Sequence, residues 1–490
     1  GGGGGVGSES GMSTQPLWTL DAMAAAMRAE RRGALPAAIT GVSIDSRTIT
    51  PGEAYFAIKG DVHDGHAFVD AALKAGAALA VVEAAQRDNF AADAPLLIVE
   101  DVLAALCDLA RASRARLSAQ VIAVTGSVGK TSTKEALRSV LAAQGKTHAS
   151  VASFNNHWGV PLTLARCPAD ARFAIFEIGM NHAGEIAPLV KMVRPHIAVI
   201  TTVEPVHLEF FSGVEAIADA KAEIFEGVEP GGAVVLNRDN AQFARLRQCA
   251  EKLGIARIVS FGAEEKADAR LLDVALHPAC SAVHAGIFGH ELTYKLAMPG
   301  RHMAMNSLAV LAASLLAGAD LALAGLALSQ AQPAAGRGVR HVLTVPNGEA
   351  TLIDESYNAN PASMAAALNV LGQAETGAQG RRIAVLGDML ELGPGSADLH
   401  RGLAGPINAN AIDMVFCCGP LMRNLWDALS SGRRGGYAEG SSALESQVVA
   451  AIRAGDVIMV KGSLGSRMKV IVTALEKRFP GNAAHDGVAV

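Results

Sequence analysis

The stretch Val121-Ile-Ala-Val-Thr-Gly-Ser-Val-Gly-Lys-Thr-Ser132 decides how the rest of the chain is read. An apolar, β-branched strand runs into Thr125–Thr131, and a helix-forming segment, Ser132 to Ala142, follows. That order builds a phosphate cradle. Gly126 and Gly129 let the backbone bend tightly, so N–H groups along Thr125, Gly126, Ser127, Val128, Gly129, Lys130, Thr131 and Ser132 point at phosphate oxygens. The helix N-terminus adds unpaired donors and the positive end of its dipole. Lys130 is placed to reach the β- and γ-phosphates, and the Thr131 hydroxyl suits Mg²⁺. The bland alternative is an ordinary glycine-rich turn. One position departs from the usual G-x-x-x-x-G-K-[ST] spacing: Val124 stands where the first glycine belongs, which points to a subclass of nucleotide-binding loops.

Composition bounds the rest. A chain of 490 residues, half of them hydrophobic, can bury large cores, and its length predicts roughly three domains. A net charge of −5 leaves no electrostatic footprint for nucleic acid, and no Lys/Arg-rich run marks a membrane surface. The six cysteines show no C-x-x-C spacing, so neither a disulfide framework nor a zinc site is expected, and a reducing cytoplasm is the simplest setting. The opening GGGGGVGSESG, residues 1–11, reads as a disordered tag or linker without the basic and apolar regions of a secretory signal. Leu308 to Leu328 is apolar enough to raise the question of a membrane span. Asp320 and several glycines interrupt it, so buried helices are expected and no stable membrane insertion.

Along the chain, residues 12–119 mix short strands (Ala54 to Ile58, Leu79 to Val82, Leu96 to Val99) with alanine-rich helices. Residues 120–330 alternate apolar strands with helices: Phe173 to Glu177, Ile197 to Thr202, Ala233 to Asn237 and Ile258 to Phe261. A more β-rich insert is predicted around Ala269 to Ala297, and helical Asn306 to Leu328 closes the section. After a linker, Gln330 to Gly338, residues 331–490 alternate again, with strands at Ala350 to Ile353, Arg382 to Leu386, Met414 to Cys418 and Val457 to Val460. The predicted class is α/β, with largely parallel sheets covered by helices.

Chemistry-bearing residues collect at the predicted strand ends, where open α/β sheets bind ligands. Glu177 tips the strand that begins at Phe173, well placed for a nucleotide's Mg²⁺, though a solvated strand-end glutamate looks the same. His207 follows the next strand and, taken alone, reads as a loop histidine. Lys221 lies on an otherwise apolar stripe with Ile217, Ile224 and Val228, in a helix predicted around Ala216 to Val228. A snorkelling side chain explains that position. So does a desolvated lysine whose lowered pKa lets it react with CO₂ and become an anion suited to Mg²⁺. In the last section, Asp354-Glu-Ser-Tyr-Asn-Ala-Asn-Pro361 and Gly387-Asp-Met-Leu-Glu-Leu-Gly393 group acids, amides and a phenol after successive strands. Each is a candidate substrate site or a turn with a helix cap. Lys461-Gly-Ser463 is a third candidate, for an anion.

With these residues in view, the chain resembles the Mur ligases, whose phosphate loop also lacks the first glycine. Similar stretches include SIDSRTITPG (43–52), FAIKG (56–60), NNHWGVPLTL (155–164), EIGMNHAGEI (177–186) and AKAEIF (220–225). DESYNANP (354–361), LGDMLELG (386–393) and VKGS (460–463) are the specific ones, and resemble the branch that takes D-Ala-D-Ala as acceptor. The resemblance implies a UDP-binding domain, a central ATP-binding domain and a C-terminal Rossmann-like domain that binds the dipeptide and part of ATP. It implies a cytoplasmic enzyme of peptidoglycan synthesis, expected to be monomeric, whose partners are UDP-MurNAc-tripeptide and D-Ala-D-Ala and whose cofactors are ATP and Mg²⁺. By the same resemblance Asp45, Ser46, Arg47, Lys59, Asp64 and His66 handle UDP, and Asn155 and Asn156 lie near the nucleotide-sugar substrate. Thr131, Glu177, His207 and a carbamylated Lys221 serve the metal; Lys130, Lys221 and His207 are the catalytic set. Asn306, Arg337, Asp354, Tyr357 and Asn358 contact ATP, while Asn360, Asp388 and Glu391 belong to the dipeptide side. Three positions depart from the pattern: Met303 replaces a common asparagine, Glu355 a second aspartate, and Leu464 a polar residue after K-G-S.

The chemistry expected is ATP-dependent amide-bond formation through an acyl phosphate. The rivals are the diamino-acid-adding ligase or folylpolyglutamate synthase, and, from another class, a phosphate-loop switch that hydrolyses ATP without joining substrates.

Overall fold

A computed structural model describes residues 15–481; the predicted tag at residues 1–11 lies outside them. The described residues separate into two compact units, 15–118 with 157–171, and 119–156 with 172–481.

In the first unit a five-stranded sheet has the order Glu30–Arg32, Leu96–Val99, Leu79–Glu83, Glu53–Phe56, Gly41–Ser43. Only the pairing of the first two is antiparallel. The strands Leu96–Val99 and Leu79–Val82 are buried throughout, as expected where helices cover both faces of parallel strands. The helix Val102–Arg116 begins at Asp101, whose carboxylate accepts the Ala104 N–H at 2.6 Å, and buries Val102, Leu106, Leu109 and Ala110 on one face. Against it packs Gly159–Ala165, a short helix buried at all seven positions. Trp18 donates its indole N–H to the Ala165 carbonyl at 2.9 Å, and Arg166 donates to Val42 O at 2.7 Å. Residues 157–171 therefore belong to this unit, although they fall inside the central section drawn from sequence.

The second unit holds two sheets. The larger has nine strands, and its phosphate-loop strand, Gln120–Thr125, lies between Phe173–Glu177 and Ile197–Ile200, both parallel to it. Beyond Arg257–Gly262 the predicted β-rich insert forms three consecutive strands, Ala269–Leu276, Ser281–Ile287 and His290–Leu296, paired antiparallel. The helix Lys130–Ala142 buries Leu137, Val140 and Leu141 against Val124, Ile175 and Val199. The apolar Leu308 to Leu328 region is two helices, Arg301–Leu316 and Leu321–Leu328, parted at Gly318 (φ +85°) and restarted by an Asp320 cap. Among the described residues no helix is long and apolar enough to cross a membrane.

The smaller sheet has six strands in the order Val339–Val345, Gly348–Glu355, Val457–Lys461, Arg382–Gly387, Met414–Cys418, Arg434–Ala438. After the first hairpin all pairings are parallel. The last strand in sequence, Val457–Lys461, inserts between two earlier ones. That insertion is a switch in strand order, and the crevice at the carboxyl ends there is where such sheets take ligands. The three clusters beginning at Asp354, Gly387 and Lys461 all leave from this point. They are laced together: Lys461 Nζ donates to Asn358 O at 2.8 Å, Leu390 N to Ser463 Oγ at 3.0 Å, and Ser463 N to Asp388 O at 3.0 Å.

Candidate active site

Val124 is part of the strand, not the loop. It is fully buried, pairs in register with Val199 and Glu177, and belongs to the core beneath the helix. The strand runs on to Thr125, so the turn is shorter than in the usual motif and the first glycine has no place in it. Gly126 needs its missing Cβ: at φ +153° such an atom would stand 1.8 Å from Thr201 Oγ1. Thr201 in turn donates to Val128 O at 2.5 Å, Ser127 N donates to Thr202 O at 2.9 Å, and Ser127 Oγ accepts Glu204 N–H at 2.9 Å. The loop is thus clamped to the end of the neighbouring strand, and Lys130 Nζ closes it by donating to Gly126 O at 2.8 Å. Gly129 caps the helix at φ +84°, where a Cβ would stand 2.6 Å from Asn306 Nδ2. Gly129→Ala is therefore expected to weaken ATP binding by roughly 5–30-fold, the equivalent of about 1–2 kcal/mol of left-handed backbone strain. Calorimetric titration with a non-hydrolysable ATP analogue measures it; unchanged affinity would remove the argument.

Thr131 and Glu177 face each other at the head of the helix. The Thr131 hydroxyl lies 3.1 and 3.0 Å from the two Glu177 oxygens, and Asn155 Nδ2 donates to Glu177 Oε1 at 2.8 Å. Ser153 Oγ is 3.2 Å from Thr131 Oγ1 and accepts from Arg337 at 3.4 Å. The sequence reading passed over the support beneath. Lys134, fully buried, donates to the carbonyls of Ser150 (2.7 Å) and Ala152 (2.6 Å) and so fixes the loop that carries Ser153 and Asn155. Its signal was a lysine one turn past Lys130 on the helix face that turns inward.

His207 and Lys221 complete the set. His207, at φ +53°, places Nδ1 2.5 Å from Glu391 Oε2, so a residue expected at the metal and one expected at the dipeptide meet directly. Lys221 lies in the last turn of the helix Val214–Ala222; the predicted helix gives way to a 3₁₀ turn at Glu223–Gly227, where Gly227 packs so near the Val190 carbonyl that a Cβ would be 2.2 Å away. Ile217 and Ile224 are buried beside Lys221 and Val228 is half-buried. Snorkelling does not describe this lysine: it is 2 % exposed, and no carboxylate among the described residues pairs with it. Burial first, and the Lys130 charge second, hold its amine well below the usual lysine range.

Among the described residues no three His, Cys, Asp or Glu side chains converge as a self-sufficient metal cage. Mg²⁺ does not require one, because it binds through one or two carboxylates, hydroxyls, waters and substrate phosphates. The Thr131–Glu177 pair beside a phosphate loop is such a donor set, so the residues present fit it.

One cavity of about 310 Å³ joins the phosphate loop, Glu177 and His207 to the smaller sheet. Ser127–Ser132, Glu177, His207 and Asn306 line one side; Arg337, Tyr357, Asn358, Asn360 and Lys461 line the other. Arg337 lies 4.5 Å over the Tyr357 ring. Of the departures noted from sequence, Met303, Glu355 and Leu464 all line the cavity. His302 does too, a residue the sequence reading left aside; burial, then the Lys461 charge, push its imidazole down to about 4. Seven expected site residues of this unit, Thr125, Gly126, Asn156, Lys221, Asp354, Asp388 and Glu391, do not line the cavity. Thr125 and Gly126 form the loop's base, and Asp354 accepts from Ser356 Oγ (2.6 Å) and Lys469 Nζ (2.8 Å), which shapes the loop rather than facing ATP. Asp388 likewise accepts the N–H groups of Met422 (2.8 Å) and Leu421 (3.3 Å).

The residues expected at UDP all lie in the first unit. Arg47 donates twice from its side chain to Asp45, at 2.9 and 2.8 Å, with Ser46 between them. Lys59 and Asp64 form an isolated antiparallel bridge. His66 Nε2 accepts Glu83 N–H at 3.0 Å, which leaves the Nδ1 proton for Asp64 at 2.7 Å. Asn156 follows Asn155 in the second unit.

Comparison with known proteins places this arrangement. "Mur ligase family, catalytic domain" matches residues 38–114, "Mur ligase middle domain" matches 124–314, and "Mur ligase, glutamate ligase domain" matches 341–464. The UDP-N-acetylmuramoyl-tripeptide–D-alanyl-D-alanine ligase of Escherichia coli K12 is 34% identical over 463 residues, covering 94% of this chain and 98% of that one. A crystal structure of MurF from Acinetobacter baumannii superposes with a TM-score of 0.80 at 28% identity, over 95% of this chain and 99% of that one. MurF ligase from Thermotoga maritima in complex with ADP does so with a TM-score of 0.72 at 25% identity, over 89% and 97%. The matches run through all three sections of the chain, and the chain belongs to the Mur ligase family.

Proposed function

We propose that this chain is the ATP-dependent ligase that joins D-Ala-D-Ala to UDP-MurNAc-tripeptide. One observation carries the reading: a single cavity brings a phosphate loop on the larger sheet opposite two strand-end clusters on the smaller one, Glu355 to Asn360 and Lys461 to Leu464. A switch that only hydrolyses ATP has no use for the second wall. The relatives named above are ligases of this kind, one of them holding ADP.

A carboxylate is a poor electrophile, so the tripeptide carboxylate first attacks the γ-phosphate of ATP, giving an acyl phosphate and ADP. The dipeptide amine then attacks the acyl carbon, loses a proton, and phosphate leaves. Lys130 and the loop N–H groups hold the phosphates and offset charge gathering on the transferred group. Mg²⁺, when bound, would act as a Lewis acid on phosphate oxygens; Thr131, Glu177, His207 and a carbamylated Lys221 would hold it. Asn306, Arg337, Tyr357 and Asn358 orient the nucleotide, and Asn360 with the loop of Glu391 faces the dipeptide. Asp45, Ser46, Arg47, Lys59, Asp64, His66, Asn155 and Asn156 serve the nucleotide-sugar. We assign residues 12–119, 120–330 and 331–490 to the UDP, ATP and dipeptide functions, in a monomeric cytoplasmic enzyme.

The test is phosphate release from ATP with each substrate omitted in turn. Release should require both UDP-MurNAc-tripeptide and D-Ala-D-Ala. Full release with either missing sinks the assignment, and turnover with diaminopimelate or glutamate in place of the dipeptide moves it to another ligase.

A further inference from the structure

The loop after the strand Arg382–Gly387 is pinned almost residue by residue. Asp388 accepts two N–H groups, Met389 N donates to His400 Nε2 at 3.0 Å, and Leu390 N donates to Ser463 Oγ. Met389 and Leu392 are buried anchors in the core of the smaller sheet. Between them Glu391 is turned outward at φ +60°, into the left-handed region that non-glycine residues seldom adopt. Its partner His207, on a loop of the larger sheet, is also left-handed at φ +53°. Such a paired departure is the kind of strain that persists where a geometry is used.

The two residues meet along a seam. Besides the 2.5 Å side-chain contact, Glu209 N donates to Glu391 O at 3.4 Å. Gly393, at φ +70°, backs so closely onto this segment that a Cβ would stand 3.3 Å from Glu209 N. With Glu391 taking the Nδ1 proton, the ring's second nitrogen keeps its lone pair, and His207 lines the cavity with Thr131 and Glu177. A carboxylate that fixes the tautomer and direction of a ligating imidazole is a familiar second-layer arrangement around metals.

We propose that Glu391 is a positioning residue that completes the metal site from the smaller sheet. It holds His207 as a ligand only while its loop is docked, so metal affinity on the ATP side depends on seating of the acceptor side. This rests on the reading of His207 as a metal ligand.

The experiment is Mn²⁺ titration of the full-length protein with a non-hydrolysable ATP analogue, followed by electron paramagnetic resonance, with thermal midpoints recorded for each variant. Glu391→Gln should weaken one Mn²⁺ site about 10–100-fold. Glu391→Asp, which keeps the carboxylate, should restore part of that loss. His207→Asn should lose the site, and adding Glu391→Gln to it should weaken binding no further, since the two act as one unit. Wild-type Mn²⁺ affinity in Glu391→Gln, with loss in His207→Asn, overturns the proposal and leaves the ligand reading intact. Wild-type affinity in His207→Asn instead removes the ligand reading itself. Additive losses in the double variant also overturn it, as does a failure of Glu391→Asp to exceed Glu391→Gln.

Discussion

Lys130→Ala should lose turnover by at least about 10²–10³-fold, the scale set by removing one preorganised charge-stabilising donor. Its Nζ lies 2.8 Å from the Gly126 carbonyl, folded into the loop that would wrap the phosphates. Burial pulls its amine below the ordinary lysine value, Glu177 opposes that and Arg337 adds to it, so the charge sits within reach of both cavity walls. Phosphoryl transfer asks the protein mainly for position and charge, and each charge counts for more in a water-poor cleft. Lys130→Arg should rescue little, because a planar fork does not replace a compact ammonium in a loop this tight. Steady-state phosphate release gives the rate and calorimetry with an ATP analogue gives the affinity. An unchanged thermal midpoint shows that the loss is chemical. A fully active Lys130→Ala enzyme would refute the phosphate role.

That prediction was legible in the chain itself, because strand, turn and helix are contiguous and each is set by local pattern. Val124 shows how far local reading reaches. Its identity marked an atypical loop, and the structure supplies the reason: the strand holds that residue in its core pairing with Val199. The strand-end clusters were legible one by one, since acids and amides after an apolar run are visible in sequence. Their convergence was not. It depends on Val457–Lys461 inserting between strands that precede it by many residues, and nothing local encodes strand order.

The same limit explains the residues that were passed over or placed differently. His207 and Glu391 are 184 positions apart, and only the meeting of two sheets' loops pairs them. Residues 157–171 read as a continuation of the central section. Every residue of Gly159–Ala165 is buried, however, and Trp18 and Val42 of the first unit supply its polar partners. Asp354 and Asp388 looked like ligand contacts because exposed and buried carboxylates are identical in sequence. Three-dimensional partners, Lys469 for one and the Leu421–Met422 amides for the other, turned both into loop-shaping groups.

Lys221→Ala should be as severe as loss of Lys130, and reversible in a way that tells the two apart. The amine is 2 % exposed on a face with Ile217 and Ile224, and both burial and the nearby Lys130 charge favour its neutral form. A neutral amine attacks CO₂, forms an N–C bond and releases one proton, leaving a carbamate anion. The product would reverse the local sign: two lysines that repel would become a cation and an anion, and a bound Mg²⁺ would have a further hard oxygen donor to use. A metal-held phosphate supplies several kcal/mol of transition-state stabilisation, so truncation should lower kcat on the order of 10³-fold. Formate or acetate can enter the space the side chain leaves and present the missing carboxylate, so short acids should restore activity to Lys221→Ala in a saturable manner. They should do nothing for Lys130→Ala, where a cation is missing. The wild-type enzyme, stripped of CO₂ at low pH and assayed at once, should start slowly and recover when bicarbonate is added. Wild-type activity in Lys221→Ala, or rescue by short amines rather than short acids, would mean that the buried lysine works as an ammonium and that the carbamate assignment is wrong.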